Sequence, residues 1–301
     1  MAMHDDQIDV TEGTARLLVD EQFPDWRGLP VRSAQSAGTV NAIFRIGDDL
    51  AARFPLQPDD PARARVAAVA EAEAARELAD ASTVPTPEPV AIGEPGHGYP
   101  LPWSVQTWLP GHTAVADDPG ASQAFALDLA GFITGLRAVN RRGRKFSGQG
   151  RGGQLADHDA WIDVCLAQSE SLLDVPRLRA VWARLRTLPE VDDDVMSHTD
   201  LTPSNVLVRR GRLVGVLDCG GFSAADPALD LVAGWHLLDA ERRAVLREAL
   251  QCNDVQWLRG MAWAFQQSMG LVWYYAKSNP TMSSWGRRTL DRLVDDAAAP
   301  L

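Results

Sequence analysis

"HTDLTPSNVLV", residues 198–208, and "LDCGG", residues 217–221, decide how this chain is read. The first sets His198, Asp200 and Asn205 in front of an aliphatic run. A second aliphatic run, residues 213–217, follows across "RRGR" and ends in Asp218. Two short apolar runs meeting across such a turn predict a β-hairpin. Its pairing would bring Asn205 and Asp218 together at the open end, with Asp200 in front of them. Phosphoryl transfer needs a carboxylate at the acceptor hydroxyl, oxygen ligands for magnesium and a cation over the phosphates. Singly, Asp200 and Asn205 read equally well as turn residues and Asp218 as a strand end. Together they make a candidate site.

Working outward, residues 8–22 have the apolar spacing of an opening helix. "VRSAQSAGTVNAIFRIGDDLAARFPL" reads as strand, loop, strand, tight turn, strand. Residues 62–80 are rich in alanine, arginine and glutamate, which favours a helix. The alternating prolines of "STVPTPEPVAIG" exclude a helix interior and lead into strands near residues 90–92 and 103–108. Beyond "LPGHTAVADDPG" the pattern turns mainly helical, at residues 121–138, 159–173, 176–188 and 241–275. That shift divides the chain into an amino-terminal lobe, residues 1–108, and a carboxy-terminal lobe, residues 109–301. The basic, glycine-rich residues 140–158 read as an exposed loop. Their "GQGRGG" follows no strand and is a weak match to a nucleotide-binding loop.

The whole chain sets limits. Its 301 residues are 46% hydrophobic, enough for a substantial core. Forty acidic against 29 basic side chains, a formal charge of -11, argue against a nucleic-acid partner and are compatible with a cationic ligand. Cys165, Cys219 and Cys252 lack zinc or disulfide spacing and read as reduced, buried thiols of a cytoplasmic protein. Neither a signal peptide nor a membrane span is expected.

H-x-D-L-x-P-x-N, the hairpin, a strand ending in aspartate, and "DPALDL" at residues 226–231 together resemble the aminoglycoside phosphotransferase-like family of small-molecule kinases. The resemblance runs from about residue 10 to about residue 290. It implies an α+β, bilobal, protein-kinase-like fold, with a strand-rich first lobe and a mainly helical second lobe carrying the hairpin. It also implies ATP or GTP as donor, Mg2+, and a hydroxylated small molecule as acceptor, such as an aminoglycoside or another antibiotic. By match, Asp200 resembles the catalytic aspartate, Asn205 and Asp218 resemble the metal ligands, and His198 looks structural. Thr199, Cys219 and Gly221 depart from residues common in the family.

In the first lobe the resemblance puts Ser36, Gly38, Thr39 and Asn41 over the nucleotide phosphates. Arg53 stands where the fold's nucleotide-binding lysine normally lies, paired with either Glu71 or Glu73, of which Glu73 is favoured. Gln106, Thr107 and Trp108 form the hinge beside the base, with Trp103 as lobe packing. A non-catalytic nucleotide-binding relative is the alternative, motivated by Arg53. The short stretch from Asp218 to Asp226 leaves no room for a protein kinase's activation segment. On the acceptor side, Asp157, Asp159 and Asp163 are candidate acids or plain helix charges, and Asp254, Gln256 and Gln266 candidate polar contacts. Trp257, Phe265 and Trp273, eight residues apart, read as a core stripe. A monomer or a homodimer fits equally.

Overall fold

The computed structural model of the chain describes residues 7–34, 40–148, 150–190 and 193–298. Ser36, Gly38 and Thr39 lie outside the described residues.

The chain opens with helix α1 (Glu12–Gln22), started by the side chain of Thr11, which accepts the Thr14 N–H. Strands β1 (Val31–Ser33), β2 (Asn41–Ile46) and β3 (Leu50–Pro55) follow. Helix α2 (Pro61–Ala81) then interrupts, with Asp60 as N-cap and proline in its first turn. β4 (Pro89–Gly93) and β5 (Trp103–Thr107) complete an antiparallel sheet of order β1-β2-β3-β5-β4. One face buries Phe54 and Trp103, whose rings stack at 4.7 Å between centroids. Trp103 is fully enclosed and packs the lobe as expected, and its indole N–H donates to the Glu94 carbonyl at 3.0 Å.

β6 (His112–Thr113) leads into helix α3 (Gln123–Arg137). The helices α4 (Asp159–Gln168) and α5 (Val175–Leu185) follow, then the strand β7 (Val195–Ser197). The expected hairpin is β8 (Val206–Arg209) and β9 (Arg212–Val216), pairing Arg209↔Arg212 beside the turn and Val206↔Val216 at the open end, with a register shift between Leu207 and Val208. Its two-residue turn has positive φ at both Arg210 (53°) and Gly211 (69°), the geometry that matches strand twist in tight hairpins. β10 (Ser223–Ala225) pairs with β7, drawing the segment after Asp218 against the one before His198. Helices α6 (Val232–Leu237), α7 (Ala240–Ala249), α8 (Asp254–Tyr274) and α9 (Pro280–Ala298) close the fold.

Residues 241–275 are therefore two helices, separated at Gln251 (φ 52°) and restarted by the side chain of Asn253. α9 went unforeseen. Trp263 and Phe265 are fully buried, and Trp257 and Trp273 pack partly buried against the same core, so the stripe is packing. All three cysteines are free and buried. Among the described residues no helix is long and apolar enough to cross a membrane.

Candidate active site

The hairpin's open end carries the site. The Leu217 N–H donates to the Asn205 carbonyl at 2.7 Å, extending the ladder one step and setting Asn205 beside Asp218. The Asn205 side-chain amide donates to the Asp200 carbonyl at 3.0 Å, and the Thr202 N–H donates there at 2.9 Å. Asp218 is left-handed (φ 59°, ψ 49°), a conformation that L-residues seldom adopt. It turns the chain at the strand's end so that the carboxylate faces the cleft.

His198 holds this loop from behind. It is fully buried, its Nδ1 accepts the Asp200 N–H at 3.3 Å, and its Nε2 donates to the Leu217 carbonyl at 2.9 Å. One ring thus ties the segment bearing Asp200 to the residue before Asp218. The buried carboxylate of Asp230 accepts the N–H groups of His198 and Thr199, both at 3.0 Å. Asp226 does more than start the next turn. It accepts the Ala228 N–H and also bonds buried Arg259 and Trp263.

From the sheet, Arg53 reaches across and donates to Asp218 at 2.6 Å. Glu71, rather than Glu73, is the glutamate within electrostatic reach of this pair. A β-carbon at position 220 would lie 2.9 Å from the Glu71 Cβ, so Gly220 lets α2 approach this closely. Glu73 is two residues on, about 200° around the helix, and faces elsewhere. Glu71 is exposed on α2, yet packing around its carboxyl raises its pKa, and Asp218 adds to the rise against the pull of Arg53.

A cavity of about 530 Å³ joins these groups. Asn41, Arg53, Gln106, Thr107 and Trp108 line one end. The N–H groups of Thr107 and Trp108 are already donated to the carbonyls of Glu88 and Asp49, so contacts with a ligand there must run through other groups. Asp200, Asn205 and Asp218 line the middle.

Arg151 belongs to the loop expected to be plain surface, but its guanidinium forms an ion pair with Asp200. The loop is fastened on the amino-terminal side of Arg151. Arg144 grips Glu77 of α2 through two bonds, at 2.6 and 2.7 Å, and the Phe146 N–H donates to Asp194 at 2.8 Å. No feature of the sequence near Arg151 announces its destination.

The acceptor side differs from expectation too. Asp159 is held by Arg186 and Asp163 by Arg179, and neither these two nor Asp157 lines the cavity. Asp254 pairs with Arg247, while Gln266 lies 3.4 Å from His158. The lining residues are Gln267, Leu271 and Tyr275 along one face of α8, with Met282 and Trp285 from α9. Gln267 is backed by His236, whose Nε2 lies 3.3 Å from the amide oxygen. Burial lowers the His236 pKa from 6.5 to about 3, with Arg151 and Arg292 adding to the effect against the Gln267 bond.

The unfolded chain therefore binds a proton that the fold refuses. This stabilisation is complete above the unfolded value of 6.5 and is lost as pH falls toward about 3. A His236→Gln variant should lack a slope of up to about 1.4 kcal/mol per pH unit across that window. Urea unfolding of both proteins at a series of pH values reads the difference.

A family model described as "Phosphotransferase enzyme family" matches residues 33–262. An aminoglycoside 3'-phosphotransferase of Escherichia coli is 26% identical over 143 residues, 45% of this chain. The match spans about half of that relative's length, 52%. The GDP complex of aminoglycoside 2'-phosphotransferase-IIIa superposes with a TM-score of 0.69 at 18% identity, covering 96% of this chain and 100% of that one. A macrolide 2'-phosphotransferase from Brachybacterium faecium gives 0.58 at 19%, covering 93% and 98%. These likenesses extend the bilobal kinase-like fold over nearly the whole chain. Since the matched segment holds the hairpin, the loop before it and the strand of Arg53, the chain belongs to the phosphotransferase enzyme family.

Proposed function

We propose that this protein transfers the γ-phosphoryl group of ATP or GTP to a hydroxyl of a small molecule. One observation carries the reading: Asp200, Asn205 and Asp218 meet at the open end of one hairpin, inside a cavity that also receives Arg53. Residues 1–108 are the nucleotide-binding lobe and 109–301 the catalytic lobe. The acceptors in its relatives' names, aminoglycosides and macrolides, bring antibiotic inactivation into the reading. Three buried, unpaired thiols suit a reducing cytoplasm.

The oxygen donors fit magnesium, a hard cation that takes few protein ligands beside phosphates. The Asn205 amide nitrogen is turned to the Asp200 carbonyl, which leaves its own oxygen for a metal, and Asp218 supplies a carboxylate. Bound there, Mg2+ would offset charge on the β- and γ-phosphates.

The protein groups do the rest. Asp200 aligns the acceptor hydroxyl and takes its proton. For that, Arg151 has to release the carboxylate or share it. Arg53, anchored near Glu71, turns from Asp218 to the phosphates, and the hinge at Gln106 to Trp108 holds the base. Transfer is direct and in line. The Cys219 thiol next to the metal residue is no competing nucleophile, since burial first and Asp218 second push its pKa up to about 12.

The 2.6 Å bond from Arg53 to Asp218 also suits a non-catalytic nucleotide binder, because it occupies a metal-facing oxygen. Magnesium-dependent release of ADP or GDP that requires an acceptor decides between the two. Nucleotide binding with no release across a broad acceptor panel would reject transfer. Asp218→Asn should weaken binding of the magnesium nucleotide by at least about tenfold. Binding without metal should persist, because the change frees Arg53. Calorimetric titrations with and without Mg2+ check this, and unchanged magnesium dependence would remove Asp218 from the metal site.

A further inference from the structure

Resting on that reading, the cavity's far end assigns the acceptor's chemical class. We infer that the acceptor is a hydroxylated molecule with a broad apolar face and hydrogen-bond-accepting oxygens, uncharged or anionic, and that polycations are poor ligands.

The wall is built from two helices. Gln267 and Leu271 on α8 and Tyr275 at its C-cap follow at intervals of four, so they share a side, and Met282 and Trp285 do the same at a spacing of three on α9. Apart from Gln267 this surface is apolar or aromatic. Besides the Tyr275 hydroxyl, its polar groups include two donors without a partner. The indole N–H of Trp285, a residue only 6% exposed, has no partner among the described residues. The Gln267 side-chain nitrogen is likewise buried and unpartnered. The other end of that amide is occupied, since its oxygen faces His236, whose Nδ1 lies 3.1 Å from the Thr289 hydroxyl. His236 also packs edge-on against the Trp285 ring, at 5.0 Å between centroids. A buried N–H without a partner is costly to the protein alone, and a carbonyl, ether or carboxylate oxygen on a ligand would satisfy it.

Charge gives an independent argument. Among the described residues the cavity is lined by two carboxylates, Asp200 and Asp218, and each already faces an arginine, Arg151 and Arg53. Among the described residues no further acid lines the cavity for an ammonium group. Arg151 sets a guanidinium beside the acceptor position. A polyamine would meet this cation, two orphan donors and an apolar wall. The net charge of -11 is therefore a property of the outer surface and not of the pocket.

The test is calorimetric binding to the full-length protein loaded with Mg2+ and a non-hydrolysable ATP analogue. The probes are kanamycin as polycation, erythronolide B as uncharged macrolactone and pantothenate as hydroxylated carboxylate. Either of the last two should bind at least tenfold more tightly than kanamycin, and the one that does identifies which oxygen chemistry is used. Gln267→Leu and Trp285→Phe should each weaken that ligand about tenfold, the worth of one hydrogen bond, with nucleotide affinity unchanged as the control for folding. Kanamycin binding as tightly as the others, both of the others failing to bind, or indifference to both substitutions would overturn the assignment.

Release of ADP from magnesium ATP, measured in parallel with each acceptor, keeps this inference separate from the transfer reading. Turnover of kanamycin would preserve transfer and sink the acceptor class. A tightly bound macrolactone or pantothenate that is never phosphorylated would do the reverse.

Discussion

Asp200→Asn should lower kcat by about 10²- to 10⁴-fold, the usual worth of a positioned general base, with the nucleotide KM unchanged. The expectation follows from a division within one residue. The bonds that hold residue 200 in its loop run through its backbone. Its N–H donates to His198, and its carbonyl accepts from Thr202 and Asn205. The carboxylate takes part in none of these and is paired with Arg151. Asparagine keeps the size and the backbone bonds but takes no proton. The loss should therefore fall on turnover, and steady-state kinetics with varied nucleotide and acceptor would show it. Full turnover in the variant would remove Asp200 from the chemistry.

The largest stability effect is expected at Arg259. Its guanidinium donates to Asp226 at 2.9 and 2.5 Å, both residues are almost wholly buried, and a third bond reaches the Pro189 carbonyl. Arg259→Met leaves the Asp226 carboxylate enclosed with only Trp263 and the Ala228 N–H as donors. Removing one partner of a buried pair costs about 3–5 kcal/mol, because the remaining charge is uncompensated. Replacing both, as in Asp226→Asn with Arg259→Met, should cost less than the single change. Urea midpoints for the two variants test the order. A single variant as stable as the wild type would show that Asp226 is already neutralised by other means.

The parts of the site that lie close together in the chain were legible. Asp200, Asn205 and Asp218 span one loop and one hairpin, so reading the hairpin amounts to reading their proximity, while the register shift between Leu207 and Val208 left no mark in the sequence. The first lobe's strands declared themselves by alternation and by the prolines before β4. Groups that meet through tertiary packing were hidden. Glu71 and Glu73 sit on the same helix, and what selects Glu71 is the close approach allowed by Gly220, about 150 positions away. Arg151 comes from a glycine-rich loop whose course depends on Glu77 and Asp194. On α8 the aromatic stripe marked the core, and Gln267 stands two residues past Phe265, about 200° around the helix, on the face opposite it.

α8 is anchored and functional at different points of its length. Arg259 and Trp263, in its first half, are bolted to Asp226, whereas Gln267, Leu271 and Tyr275 beyond them face the cavity. The two groups share the backbone ladder of one helix, but the side-chain bonds to Asp226 come from the first group alone. Substitutions at 267, 271 and 275 can accumulate without loosening the segment that leads from Asp218. On the proposed reading, the helix would let the choice of acceptor change while the groups around Asp200 and Asp218 stay in place. A library confined to those three positions is the economical place to seek new acceptors.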